Sequence, residues 1–359
     1  MAGDLILCLD SGTTAVKAAV LDRGGQVLAR AERPNSALER RGIRVEQDMA
    51  RSLADACAAI RECRDQAPAG IAALALTGQG DGLWPLDARL QPAGKALTWL
   101  DGRAGAVMAG RAAALDKLCA LTSSMPTPAS QSLQLLWLQC HDPDRFAAIA
   151  HLLRLKEWLF YGLTGKILAE AGSVLPVWGD WRSGALLPEI EAILGLRRGI
   201  GLLPPIGPVD RCIAPLSAPM AGRLGLPVGL PVVLGPGDVQ SGLVGLGVGP
   251  GLDLTRASIF GTSAIHGRYY DSPGALPKQL SGAMVQRFAT GSGFICFHPS
   301  FNGGTVLQRM GRLTGDLPAP DRPVPSGVLL LPFFEPGGER APVTHAAASA
   351  SVHGLSAST

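Results

Sequence analysis

Twice in this chain a short apolar run leads into a glycine-rich turn that carries an acid. Leu5-Ile6-Leu7-Cys8-Leu9 enters Asp10-Ser11-Gly12-Thr13-Thr14, and Pro231-Val232-Val233-Leu234 enters Gly235-Pro236-Gly237-Asp238. An uninterrupted apolar run bounded by turn residues reads as a buried strand. Two halves built on this plan predict a two-lobed protein with a cleft. The length agrees: 359 residues at ~150 per domain suggest two domains.

Composition removes several classes. A hydrophobic fraction of 47% excludes a mainly disordered chain. A net charge of +3 gives no strong pull on nucleic acid or an anionic membrane. The seven cysteines are odd in number and contain no C-x-x-C pair, which argues against a disulfide framework or zinc site and for a reducing compartment. The N-terminus enters a strand without a basic segment or cleavage signal, so a cytoplasmic location is expected. Leu224 to Leu252 is long enough to span a bilayer and holds one charge, Asp238. Its nine Gly and four Pro rule out a lipid-facing helix, and it reads as buried strands and turns around one acid.

Along the chain, Val16–Leu21 and Val27–Ala29 continue an antiparallel meander from the first strand. Asp48 caps a helix whose apolar face is Met49, Leu53, Cys57, Ile60 and Cys63. Ile71 to Leu76 is a buried strand, with Leu83-Trp84-Pro85-Leu86 returning beside it. From Asp142-Pro143 a helical pattern runs through Phe146, Ile149 and Leu152-Leu153, then Leu155 to Leu163. Ala257-Ser258-Ile259-Phe260 is a strand aimed at Gly261-Thr262-Ser263.

Five segments carry chemistry, and each also has a plainer reading. A tight Asp10-Ser11-Gly12-Thr13-Thr14 turn offers backbone N–H and hydroxyl donors to phosphate oxygens, and Asp10 can hold Mg²⁺ through water. It can equally be an ordinary hairpin. Gln79-Gly80-Asp81-Gly82 and Trp99-Leu100-Asp101-Gly102-Arg103 follow predicted strands and carry the groups that bind a polyhydroxylated ligand. They can also be polar turns, with Asp101 and Arg103 capping a helix. Asp238, isolated among apolar and glycine residues, suits a general base or a turn cap. Gly261-Thr262 is a second Gly-Thr turn, weak by itself. No G-x-x-x-x-G-K-[ST] or helix-opening G-x-G-x-x-G is present, which removes P-loop and Rossmann readings.

Taken in order, these segments resemble the FGGY carbohydrate kinases of the actin-like ATPase superfamily. Val45-Glu46-Gln47-Asp48, Lys156-Glu157-Trp158-Leu159 with Leu163-Thr164-Gly165, and Leu331-Pro332-Phe333-Phe334 with Gly338-Glu339-Arg340-Ala341-Pro342 are similar to further family elements. Gly78-Gln79-Gly80-Asp81-Gly82 followed by Trp99-Leu100-Asp101-Gly102-Arg103 resembles erythritol and related polyol kinases most, with L-xylulose kinases close.

The resemblance implies an α/β fold of two ribonuclease-H-like lobes around a cleft. Residues 1–235 would form the first lobe and 236–359 the start of the second, left incomplete relative to the family pattern. It implies ATP-dependent phosphorylation of a small polyol or sugar. Asp238 would be the catalytic base. Gly12, Thr13, Thr14, Gly261 and Thr262 would hold the ATP phosphates, and Asp10 the Mg²⁺. Gln79, Asp81, Trp99, Asp101, Arg103 and Gln240 would bind substrate. The expected partners are that small molecule and a second copy of the chain; nucleic acid and membrane are not expected. Because the family pattern continues past His353-Gly354-Leu355-Ser356 into an adenosine-clasping segment, a non-catalytic sugar- or nucleotide-binding relic is the rival reading. A third, an actin-like ATPase without a sugar site, leaves Gln79, Asp81, Asp101 and Arg103 without a purpose.

Overall fold

The computed structural model describes residues 4–207, 209–261, 264–277, 283–300, 303–315, 327–331 and 349–354. The chain divides into two compact units, Met1–Ser241 with Val285–Gly293, and Gly242–Met284 with Phe294–Thr359. The expected lobes divide at 235/236; these units part six residues later, and residues 285–293 return to the first.

The first unit is built on a six-stranded sheet. β1 (Leu5–Ser11), β2 (Ala15–Leu21) and β3 (Val27–Pro34) form the expected antiparallel meander. Asp22 closes the second turn, its Oδ1 accepting from Gln26 N at 2.9 Å. α1 (Met49–Gln66) starts where Asp48 accepts a hydrogen bond from Arg51 N at 2.9 Å. A side-chain acceptor there satisfies an N–H that the first helical turn leaves unpaired. Its buried face, Met49, Cys57, Ile60 and Cys63, joins Leu7, Leu9, Leu74 and Leu76 of the sheet in one core.

The strand Ile71–Gly78 runs parallel to β1, with Leu9 opposite Leu76 and Asp10 opposite Thr77. On its other side the strand Pro231–Leu234 is also parallel, with Leu234 opposite Leu76. The two acid-bearing runs are therefore near neighbours in a single sheet, flanking one middle strand. Their likeness reflects a shared position in a parallel array and does not mark two halves of the chain.

Three further expectations are corrected. Trp84–Leu86 pairs with His151–Leu153 rather than returning beside Ile71–Gly78. Leu152 and Leu153 accordingly belong to a strand, between the helices Pro143–Ala148 and Leu155–Thr164. A short apolar run fits a helix face or a buried strand equally, and here the partner strand decides. The glycine-dense segment also contains a helix, Asp238–Gly245, beginning at its one acid.

In the second unit, Arg256–Phe260, Ala264–Tyr270 and Phe294–Ser300 make a continuous antiparallel array, and Leu329–Leu331 pairs with Ser351–His353. Thr262 and the segment from Pro332 to Pro342 lie outside the described residues. Among the described residues no helix is long and apolar enough to cross a membrane.

Candidate active site

Three strand ends of the first unit meet at one side of the sheet. β1 delivers Asp10, Ile71–Gly78 delivers Gln79-Gly80-Asp81, and Pro231–Leu234 delivers Gly237-Asp238. Their turns are tied together by Gln79 N donating to Ser11 O at 3.3 Å and Gly235 N to Leu76 O at 2.8 Å. Thr77 Oγ1 donates to Pro236 O at 2.6 Å, and Ser241 Oγ to Thr77 Oγ1 at 3.0 Å.

Electrostatics single out Asp238. Burial, then the charges of Asp10 and Asp81, push its carboxyl up to about 7, against the pull of the Val239 and Gly80 backbone N–H groups. Val239 N lies 2.9 Å from its Oδ1. The residue as a whole is half-buried. A carboxyl that titrates near neutrality can take up a proton and release it at working pH. Burial likewise raises Asp10, with Lys17 opposing. Asp10 Oδ1 is buried without a hydrogen-bond partner among the described residues. One orphaned carboxylate oxygen suits a cation such as Mg²⁺, which keeps most of its water shell. Among the described residues no three His, Cys, Asp or Glu side chains form a ready metal cluster.

The Gly12–Thr14 turn is fixed by a residue that the sequence did not flag. Asn35 Nδ2 donates to Gly12 O at 3.2 Å and Thr13 O at 3.0 Å, and Asn35 N donates to Thr14 O at 2.9 Å. Trp99 Nε1 donates to Thr13 Oγ1 at 2.8 Å, joining the second sugar-type segment to the phosphate-type turn. The signal for Asn35, a turn residue after β3, was visible, but its partners more than twenty residues earlier were not.

Val45-Glu46-Gln47-Asp48 works as a brace. Val45 N donates to Asp101 Oδ2 at 2.9 Å, and Glu46 Oε1 accepts from Arg103 Nη2 at 2.7 Å. Gln47 Oε1 accepts from Gln79 Nε2 at 3.2 Å, while Asp48 caps α1. Asp101 and Arg103 also bond each other through Nε and Nη2 at 2.9 and 2.8 Å. Both Asp101 oxygens and the Arg103 Nε and Nη2 are thus engaged within the scaffold, and Asp101 is 1% exposed. Gln79 is equally buried, with Oε1 lacking a partner among the described residues. Asp81 is half-buried and acts on Asp238.

Gln240 is fully buried on the Asp238 helix. Its Nε2 donates to Gln286 Oε1 and Arg287 O, each at 3.1 Å, and its Oε1 accepts from Ala289 N at 2.6 Å. The structure therefore shows it holding the 285–293 segment. Gly261 follows the strand Arg256–Phe260 in the second unit, its carbonyl accepting from Gly304 N at 2.7 Å.

Beneath the Asp238 turn lies a group of charges that sequence reasoning assigned no role. Arg154, Lys156 and Glu157 are 0% exposed and Glu170 2%. Lys156 Nζ is 3.1 Å from Glu170 Oε1, which also accepts from Ser173 Oγ; Oε2 accepts from Gly172 N at 2.6 Å. Burial alone would raise Glu170, but Lys156, Ser173 and Gly172 together hold it low. Ser173 Oγ would lie 3.7 Å from a β-carbon on Gly237, so this network abuts the catalytic-type turn.

Known proteins resemble this chain in the same terms. Residues 5–245 match the N-terminal domain of the FGGY family of carbohydrate kinases. Erythritol kinase of Brucella abortus is 27% identical across 99% of this chain and 72% of its own length. Xylulose kinase of Streptomyces coelicolor is 29% identical across 98% and 71%. The crystal structure of a xyloylose kinase from Brucella ovis superposes with a TM-score of 0.87 at 25% identity, covering 99% of this chain and 74% of that one. The xylulose kinase from Rhodospirillum rubrum, 24% identical with a TM-score of 0.83, shares the fold. A mixed sheet whose parallel central strands converge in acidic ends, of the sugar-kinase and actin-like ATPase type, is the class so defined. The chain belongs to the FGGY family of carbohydrate kinases.

Proposed function

We propose that this chain transfers the terminal phosphoryl group of ATP to a hydroxyl of a small polyol or sugar, with erythritol-like polyols and ketopentoses as the substrate class. The observation that carries it is the Asp238 carboxyl, raised to about 7 by burial and by Asp10 and Asp81 at a glycine-rich strand end. The similarity to erythritol and xylulose kinases supports the substrate class.

Magnesium and ATP, when bound, supply the transferable phosphoryl group and the counter-charge for its oxygens. Asp10 holds the cation side through its unpartnered oxygen, and the Gly12–Thr14 turn, braced by Asn35, receives phosphate oxygens. Asp81 orients the acceptor hydroxyls, with Trp99 as an apolar wall fixed by its bond to Thr13. Asp238 accepts the proton of the attacking hydroxyl. Most of the rate gain in such transfers comes from positioning and charge stabilisation.

Steady-state assays of the chain with ATP and erythritol, xylulose or glycerol test the reading. ATP-dependent phosphorylation of erythritol or xylulose is expected, falling by ~10²-fold or more in kcat for Asp238→Asn. Turnover of none of the three, or an Asp238→Asn variant as fast as wild type, overturns it.

A further inference from the structure

The second unit carries a basic face with no part in phosphoryl transfer as proposed above. In its antiparallel array Arg256 stands opposite Arg268, which stands opposite Cys296; Ser258 stands opposite His266, which stands opposite His298. Side chains alternate between the two faces of a strand. Leu243 packs so tightly on Gly267 that a β-carbon there would meet its Cδ1 at 2.3 Å, and Ile259 faces the same helix at Gly242. Arg256, His266, Arg268, Cys296 and His298 therefore share the opposite face, where with Tyr270 they line a cavity of about 460 Å³.

Like charges set directly opposite each other on neighbouring strands repel. Here an arginine pair and a histidine pair are adjacent, and among the described residues no carboxylate lines the cavity. Two contacts hold the donors in place rather than neutralise them. Arg268 lies over the Tyr270 ring at 5.1 Å, and Ser258 Oγ is 2.9 Å from His266 Nδ1.

We propose that this face binds a small phosphate-bearing anion, gripped by Arg256 and Arg268 beside the His266 and His298 rings. Guanidinium groups pair with phosphate oxygens through two parallel bonds, which a lone anion between strands exploits well. The volume exceeds what a phosphate group alone needs and falls in the range of small-molecule pockets. It leaves room for the organic part of a phosphorylated metabolite against Tyr270.

The ionisable groups facing the cavity are Arg256, His266, Arg268, Tyr270, Cys296 and His298. Burial pushes the Cys296 thiol up to about 11, so it stays neutral. Burial and then His266 hold His298 down, and an anion seated between the two rings raises it. Binding therefore strengthens as pH falls.

Titration calorimetry of the whole chain with sulfate, whose charge is constant between pH 6 and 8, tests the site; inorganic phosphate is the second probe. Saturable binding is expected, weakened about tenfold by Arg268→Gln and abolished by Arg256→Gln/Arg268→Gln. It should be several-fold tighter at pH 6 than at pH 8, a difference that His298→Gln removes. Thr14→Val, in the first unit, should leave the isotherm unchanged. Melting temperatures of the variants verify that the unit remains folded. No saturable binding, binding indifferent to both arginines, or loss with Thr14→Val instead overturns the proposal. Kinase turnover does not enter these readouts, so the site stands or falls apart from the catalytic reading.

Discussion

A β-carbon on Gly237 would sit 3.2 Å from the Cα of Gly80. The Asp238 turn and the Asp81 turn thus touch through bare backbone, which sets how closely the two acids approach. Neither glycine adopts a positive φ, so close approach is the reason for glycine at position 237.

Gly237→Ala should push the turns apart and lower kcat by about tenfold or more, since ångström-scale misplacement of reacting groups costs up to ~10²-fold. Gly80→Ala should be milder, because its β-carbon meets Gly237 Cα at 3.7 Å and Asp238 Oδ1 at 3.9 Å, ordinary contacts. Kinetics of both variants decide the matter. Equal effects, or a worse Gly80→Ala, would show that the close approach does not govern the site.

Asp81 and Asp101 should separate cleanly. Asp81→Ala should raise the polyol KM with little change in the ATP KM, as loss of one hydrogen-bond partner costs ~1–3 kcal/mol. Asp101→Ala strips Val45 N of its partner and leaves the largely buried Arg103 with Glu46 alone, and should destabilise the fold by ~3–5 kcal/mol. Denaturant melts and substrate titrations distinguish the two. A stable Asp101→Ala variant with a raised polyol KM would return Asp101 to the substrate.

How far the sequence could be read depends on the range of each interaction. The meander, the Asp48 cap and the apolar face of α1 rest on neighbours within a few residues, and they stand as expected. The placement of Asp238 beside Asp10 was not legible, because parallel strands meet through long crossovers that leave no local mark. The same reason hid the pairing of Trp84–Leu86 with His151–Leu153 and the reach of Asn35 to Gly12. Asp101 and Arg103 read as ligand groups because their residue types suit hydroxyls. Only the fold shows that both also bond within the scaffold, to Val45 and Glu46.

The buried Lys156–Glu170 pair invites a double-mutant cycle. Lys156→Met leaves Glu170 charged, 2% exposed and without its nearest cation. Breaking a buried pair from one side costs ~3–5 kcal/mol, whereas replacing both partners by apolar groups is often close to neutral. Lys156→Met/Glu170→Leu should therefore recover a large part of the stability lost in Lys156→Met. The double variant should still turn over slowly, since Ser173 loses its acceptor beside Gly237. A double variant no more stable than the single one would mean that the pair is not an energetic unit.

Asp238 makes stability depend on pH in a direction opposite to that of a salt-bridged acid. Its carboxyl titrates at about 7 in the folded chain, against ~3.9 for an ordinary aspartate. Between those values the folded state holds more protons than the unfolded one, so stability falls as pH rises through the window and is level on either side. Asp238→Asn removes that loss. At pH 8 the variant should melt at or above the wild-type temperature, and its relative advantage should shrink as pH falls towards 5. Asp10→Asn removes the strongest neighbouring charge and should move the upper edge of the wild-type window to lower pH. Thermal melts of the three proteins from pH 5 to 8.5 read all of this without any turnover. A wild-type minus Asp238→Asn difference that stays constant across that range would show that the carboxyl is not raised, and with it would go the physical basis for a base poised near neutrality.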